Sequence, residues 1–196
     1  MIALVDIVGA NSRSLRSCLE RIKAPFRVVY KPEDFKGTSH VILAGVGAAA
    51  SAMQAIETHQ LKDVITALRI PVLGICSGMH ILFDRSEEGG LVDGLGIIPG
   101  TIKKIHPHDN HPVPHSGWNQ LKEHHPSALS GLNDEYVYFV HSYAASQMKD
   151  THILMSVDYS ISIPALVQKD NYFGAQFHPE KSSQAGEIML KEFYTL

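Results

Sequence analysis

The segment Pro71-Val72-Leu73-Gly74-Ile75-Cys76-Ser77-Gly78-Met79-His80-Ile81-Leu82-Phe83 carries the strongest signal in this chain. An apolar run ends in Cys-Ser-Gly, and a new apolar face begins at once with helical spacing. That pattern predicts a buried strand turning sharply into a helix, with Cys76 at the corner. Gly74 and Gly78 flank the cysteine and let the backbone bend tightly, as in the strand–turn–helix elbow that presents a nucleophile in hydrolases. A thiol at such a corner points out of the turn, near the positive end of the helix. The next backbone N–H, that of Ser77, is free to face an oxyanion. The competing reading is a buried structural cysteine at a strand end.

A second segment, Tyr172-Phe173-Gly174-Ala175-Gln176-Phe177-His178-Pro179-Glu180-Lys181-Ser182-Ser183, ends a strand-like run in His-Pro-Glu. A catalytic thiol needs a base to take its proton and a carboxylate to orient that base, and both can come from distant sequence. His178 and Glu180 are two apart, so on a regular strand they would point the same way. Pro179 suits a strand terminus better than a strand interior. Alone, the segment also reads as a polar strand end before an exposed loop.

Outward from the elbow, strands and helices alternate. Strands are expected at residues 2–6, 27–30, 40–43 and 71–75, and helices at 12–23, 48–59 and 63–68. This order argues for a parallel sheet with helices on both faces and ligands at the carboxyl ends of its strands. Beyond Gly94 the texture changes to shorter β-rich segments at 95–98, 101–105, 136–142, 152–157, 165–169 and 172–177. Neither an internal repeat nor a linker is visible, so a single domain spanning residues 1–196 is expected.

Composition fits a soluble domain. The chain has 196 residues, 44% of them hydrophobic and 19% charged, with a formal net charge of −3; a sizeable core is available at this length. No basic tract calls for nucleic acid, and no apolar stretch approaches a membrane span. The opening Met1-Ile2-Ala3-Leu4-Val5-Asp6 reads as a first strand and not as a signal peptide. Two cysteines make no disulfide framework, Cys18 sits in a helical apolar pattern as core, and a reducing cytoplasm is the expected home. His106, His108, His111 and His115 crowd together with Asp109, but Pro107, Pro112 and Pro114 interrupt them. They read as a solvated loop, not a metal site. Gly45-Val46-Gly47 after a strand lacks the remaining phosphate fingerprint and reads as a turn unless another role is assigned.

Cys76 with His178-Pro179-Glu180 resembles the class I, triad-type glutamine amidotransferases. Val113-Pro114-His115-Ser116-Gly117-Trp118-Asn119-Gln120, Tyr138-Phe139-Val140-His141-Ser142-Tyr143 and the segment from Gln176 to Ser183 are similar to one branch of that family, the glutaminase subunits of imidazole glycerol phosphate synthases. So are the opening residues 2–6, Asn11 and Ser14-Leu15-Arg16-Ser17. The likeness runs in order along essentially the whole chain. It implies a flavodoxin-like three-layer α/β sandwich, with a mostly parallel central sheet and a smaller antiparallel β-rich portion. It further implies Cys76 as nucleophile, His178 as base and Glu180 as its orienting carboxylate. Backbone at Val46 and Ser77 would form the oxyanion site, and Gly45, His80, Ser142 and Tyr143 would border L-glutamine. No cofactor or metal is implied. A (β/α)₈-barrel cyclase would cap the site and receive the ammonia, with Trp118, Asn119 and Lys181 near that interface.

The chain departs from the family pattern at the elbow. Ser77 and His80 stand where Leu and Gln are usual in Cys-Leu-Gly-Met-Gln, and the usual glutamine helps hold the substrate. Ala44 replaces a proline, Ser116 replaces a methionine, and residues 6–11 are looser than the common Asp-Tyr-Gly-x-Gly-Asn. The ammonia acceptor therefore stays open at this stage. The alternatives are a paralogous glutaminase serving another synthase, such as a nucleotide-sugar amidotransferase, and a partner-binding subunit that no longer turns over glutamine.

Overall fold

A computed structural model of the chain describes residues 1–6, 12–45, 47–108 and 110–196. The first half alternates as expected. β1 (Ile2–Asp6), α1 (Arg13–Arg21), β2 (Phe26–Val29), β3 (His40–Gly45), α2 (Ala49–Thr58), α3 (Lys62–Ala67) and β4 (Val72–Cys76) follow one another. Then come α4 (Ser77–His80), β5 (Phe83–Ser86), β6 (Val92–Asp93), β7 (Ile98–Lys104), β8 (His115–Gln120), β9 (Lys122–Glu123), β10 (Tyr136–His141), β11 (Tyr143–Ser146), β12 (Ile153–Tyr159), β13 (Ile161–Lys169), β14 (Tyr172–Ala175) and α5 (Ser183–Tyr194).

Among the described residues, eight strands form the central sheet in the order β2-β1-β3-β4-β14-β13-β12-β9. Pairing is parallel from β2 through β14 and antiparallel from β14 to β9. Parallel strands covered on both faces must be apolar on both faces. In β1, Ile2 and Leu4 join one buried cluster with Leu15 of α1 and Phe193 of α5. Ala3 and Val5 join the other, with Met53 and Ile56 of α2. The period of two thus builds three layers, and each fully buried Leu or Ile contributes about 1.5–3 kcal/mol. A second sheet, β11-β7-β5-β6, and the ribbon β10-β8 make the smaller β-rich portion. The expected architecture is the observed one.

Local readings needed correction. The helix expected after the elbow is one turn long. Its sequel stays apolar and buried, and the carbonyls of Ile81, Leu82 and Phe83 accept N–H groups from Leu95, Ile97, Ile98 and Gly96 instead of continuing the helix. For the same reason most of the strand expected at 95–98 is absent, and β7 begins at Ile98. His178 and Glu180 do not share a strand. β14 stops at Ala175, and Pro179 opens a 3₁₀ turn, Pro179–Lys181, where a missing N–H is harmless. Nor is His115 solvated. It starts β8, buried and stacked between Phe139 at 4.7 Å and Tyr159 at 3.8 Å.

Candidate active site

Two adjacent parallel strands bring the candidate residues together. β4 pairs in parallel with β14, and Ile75 lies opposite Ala175. Cys76 therefore ends one strand and His178 lies three residues beyond the end of its neighbour, both at the carboxyl edge of the sheet.

Cys76 adopts φ +53° and ψ −111°, a conformation that side chains rarely take. Such strain persists only where packing over-determines it, and it aims the thiol out of the corner. The packing is tight. A Cβ on Gly78 would lie 2.0 Å from the Leu43 carbonyl oxygen, and one on Gly74 would lie 2.3 Å from that of Gly78. Gly45 is the register partner of Cys76 on β3, and a Cβ there would stand 2.5 Å from the Gly78 nitrogen. Ser77 is buried at the start of the single turn, where backbone N–H groups lack intrahelical partners. Val46, Asn11 and Asp109 lie outside the described residues.

His178 is buried. Its Nδ1–H donates to Glu180 Oε1 at 2.8 Å, and its backbone N–H donates to the Tyr138 carbonyl at 3.0 Å. Burial acts against the imidazolium, yet the Cys76 side chain, as a hydrogen-bonding partner, and the Glu180 carboxylate outweigh it. His178 is raised to about 10. A cationic imidazole oriented by a carboxylate beside a sulfur is the arrangement a thiolate nucleophile requires.

A cavity of about 480 Å³ opens over this group. Cys76 and His178 line it with Gly47, Glu88, His141, Ser142, Tyr143 and Lys181. Ser142 and Tyr143 thus stand where the sequence expected them. Gly45 and His80 are not on the wall; both are buried behind it. Trp118 is exposed on β8 and packs edge-on to Tyr138 at 6.1 Å, while Lys181 Nζ lies 5.8 Å above the same ring. Asn119 turns elsewhere, its Nδ2 donating to the Asp158 carbonyl at 3.1 Å.

Sequence reasoning missed Glu88 and Ser182; His141, at a strand end, reads from sequence equally as a site residue or as a satisfied strand histidine. Glu88 is the acidic wall of the cavity, and nothing in its local pattern marks it. Ser182 bridges the site, donating from Oγ to the His178 carbonyl at 2.7 Å and accepting the Tyr138 N–H at 3.0 Å; its place after His-Pro-Glu-Lys was the available signal. His141 donates from Nδ1 to the Tyr143 carbonyl at 2.8 Å and accepts at Nε2 from His115 Nδ1 at 3.0 Å. Burial holds both rings neutral, lowering His115 to about 4 and His141 to about 3. Among the described residues, no group of three or more His, Cys, Asp or Glu side chains is placed to hold a metal ion. Nor is any of their helices long and apolar enough to cross a membrane.

The sequence family described as glutamine amidotransferase class-I matches residues 3–195. The imidazole glycerol phosphate synthase subunit HisH 2 of Legionella pneumophila subsp. pneumophila is 44% identical over 198 residues, covering 100% of this chain and 98% of that protein. The imidazole glycerol phosphate synthase subunit HisH of Bacillus subtilis (strain 168) is 41% identical, covering 98% and 95%. A crystal structure of a glutamine amidotransferase shares the fold with a TM-score of 0.78 at 16% identity, covering 99% of this chain and 97% of that one.

Proposed function

Because the chain belongs to the class-I glutamine amidotransferase family, and is similar along its length to imidazole glycerol phosphate synthase subunits, we propose that it is the glutaminase subunit of such a synthase. It hydrolyses L-glutamine to L-glutamate and ammonia and passes the ammonia to a (β/α)₈-barrel cyclase that makes imidazole glycerol phosphate and aminoimidazole carboxamide ribotide for histidine. The observation that carries this reading is the strained Cys76 at the wall of a cavity shared with the buried, Glu180-bonded His178.

Glutamine enters with its side-chain amide over Cys76 and its α-ammonium towards Glu88, the carboxylate on the cavity wall. With the shared proton already on His178, the Cys76 sulfur attacks the amide carbon. The Ser77 N–H, with backbone at Val46, receives the negative charge of the tetrahedral oxygen. His178 returns the proton to the amide nitrogen, the C–N bond breaks, and ammonia leaves a γ-glutamyl thioester. Water, losing its proton to His178, then attacks the thioester, and the C–S bond breaks to release glutamate and restore the Cys76 sulfur beside a protonated His178. Glu180 holds the Nδ1–H throughout, so that Nε2 does the proton transfer. The balance needs no cofactor.

Ammonia released to water becomes ammonium, so a cap is required. Trp118, Tyr136 and Val140 are exposed on the β10-β8 ribbon, and Val140 and Lys181 reach the cavity. This apolar patch with one cation fits a docked cyclase, giving a heterodimer; exposed aromatic anchors are the usual hot spots of such contacts. Asn119, turned towards Asp158, ties the ribbon to β12 of the central sheet. The chain acts as a single domain, residues 1–196, in the cytoplasm.

The test is glutamate release by this chain with and without the cyclase loaded with its ligand. A large rise on adding the loaded cyclase is expected. An unchanged rate would remove the cyclase as the partner and point to another synthase.

A further inference from the structure

His80 is a buried residue that the proposed chemistry leaves unused. It sits four residues after Cys76, on the elbow's own turn, with its side chain wholly inside the protein. Its Nδ1 lies 2.8 Å from Glu88 Oε2, and its Nε2 lies 3.0 Å from Gln176 Oε1. Both ring nitrogens therefore face oxygen acceptors, and an imidazolium satisfies both at once. Burial opposes that charge most strongly, but the Glu88 hydrogen bond, the neighbouring Cys76 and the Glu88 charge raise the pKa above the usual histidine value.

Glu88 is the partner through which His80 meets the cavity. It stands in the loop between β5 and β6, on the wall of the cavity that holds Cys76. A carboxylate on such a loop has several rotamers, and fixing one of them costs side-chain entropy. Two donors converge on its Oε2: His80 Nδ1, and the backbone N–H of Ala49 at the start of α2 at 3.2 Å. With Oε2 held from behind, the second oxygen is left for whatever enters the cavity.

We propose that His80 is a positioning residue for substrate recognition: bridging Glu88 and Gln176, it clamps the Glu88 carboxylate at the cavity wall and so selects ligands that carry an α-ammonium group. The proposal rests on the reading of the cavity as the glutamine site. It gives the histidine at this position a role that acts through Glu88 without touching substrate.

The experiment compares two alkylating probes of Cys76 on the full chain. One is a chloromethyl ketone analogue of glutamine that keeps the α-amino acid portion; the other is iodoacetamide, which lacks it. The ratio of their rates isolates recognition from any change in the thiol itself. His80→Ala lowers that ratio at least tenfold by weakening saturable binding of the analogue. Glu88→Gln, an isosteric change that spares the buried histidine, lowers it similarly, and the double variant lowers it no further. His80→Gln restores most of the ratio, since an amide N–H still reaches Glu88. A ratio unchanged in His80→Ala, or additive losses in the double variant, overturns the clamp. If the unaltered chain shows no saturable, glutamine-protected labelling by the analogue, the glutamine site itself fails and takes the clamp with it.

Discussion

The backbone N–H of His178 is bonded to the carbonyl of Tyr138 at 3.0 Å. The base is thereby tied to β10, the strand whose end, His141-Ser142-Tyr143, forms the cavity wall. Ser182 closes the same connection from the other side, between the Tyr138 N–H and the His178 carbonyl. Ser182→Ala loosens the base relative to the nucleophile while leaving every reacting group in place. We expect glutaminase kcat to fall about 5- to 50-fold with little change in KM, because misplacement of about 1 Å costs on the order of 10²-fold. Steady-state kinetics of the cyclase complex check this, and an altered KM at constant kcat would contradict it.

Glu180→Gln keeps the shape of the turn but lets Nδ1 of His178 lose its fixed proton. The wrong tautomer and an unsupported imidazolium should lower kcat on the order of 10²–10⁴-fold. The folded His178 pKa, raised to about 10 by partners that include Glu180, should fall in this variant. A raised pKa contributes stability that is complete below about 6.5 and is lost as pH rises through about 10. Chemical denaturation between pH 6 and 10 should therefore show a smaller alkaline loss in Glu180→Gln than in the unaltered chain. An equal loss would mean that His178 draws no stabilisation from this carboxylate.

Gly78→Ala tests the elbow. The new methyl group would lie 2.0 Å from the Leu43 carbonyl oxygen, an overlap that only backbone movement relieves. We expect a destabilisation of about 2 kcal/mol or more, or roughly 4–8 °C in Tm for a chain of this size, and loss of activity beyond that loss of fold. Calorimetry gives the answer, and an unchanged Tm would show the elbow to be less tightly packed than described.

The His115–His141 pair predicts a response to acid. Burial lowers both pKa values, to about 4 and about 3, so the unfolded chain binds protons that the folded chain refuses. The pair's hydrogen bond is intact at neutral pH, and stability is lost as pH falls from about 6.5 towards these values. His115→Phe retains the stack on Phe139 and Tyr159 but leaves His141 Nε2 without its donor. It should be less stable than the unaltered chain at pH 7, and the deficit should shrink as pH falls to 4. Denaturant midpoints at several pH values measure this; a constant deficit would rule out the neutral pair.

Much of this was legible in the sequence because it is local or periodic. The two-sided apolar strands around residues 2–6 and 71–75 announce a parallel sheet, and Gly-Ile-Cys-Ser-Gly announces the corner. What was hidden depends on partners far along the chain. The helix after Cys76 is a single turn because the carbonyls that follow it, Ile81 to Phe83, bond residues 95–98. His115 is buried because Phe139 and Tyr159 close on it. The 3₁₀ turn brings His178 and Glu180 together by a route that strand alternation does not provide. Glu88 enters the site because its loop meets the start of α2 and the His80 ring.

The proposed function turns on Cys76 as the nucleophile of a glutamine site. The direct measurement is peptide mass spectrometry of the chain after treatment with the chloromethyl ketone analogue of glutamine, with and without excess glutamine. A single modification is expected on Cys76, suppressed by glutamine, with Cys18, buried in the core, untouched. Labelling that glutamine fails to suppress, or that falls on Cys18 instead, would contradict it.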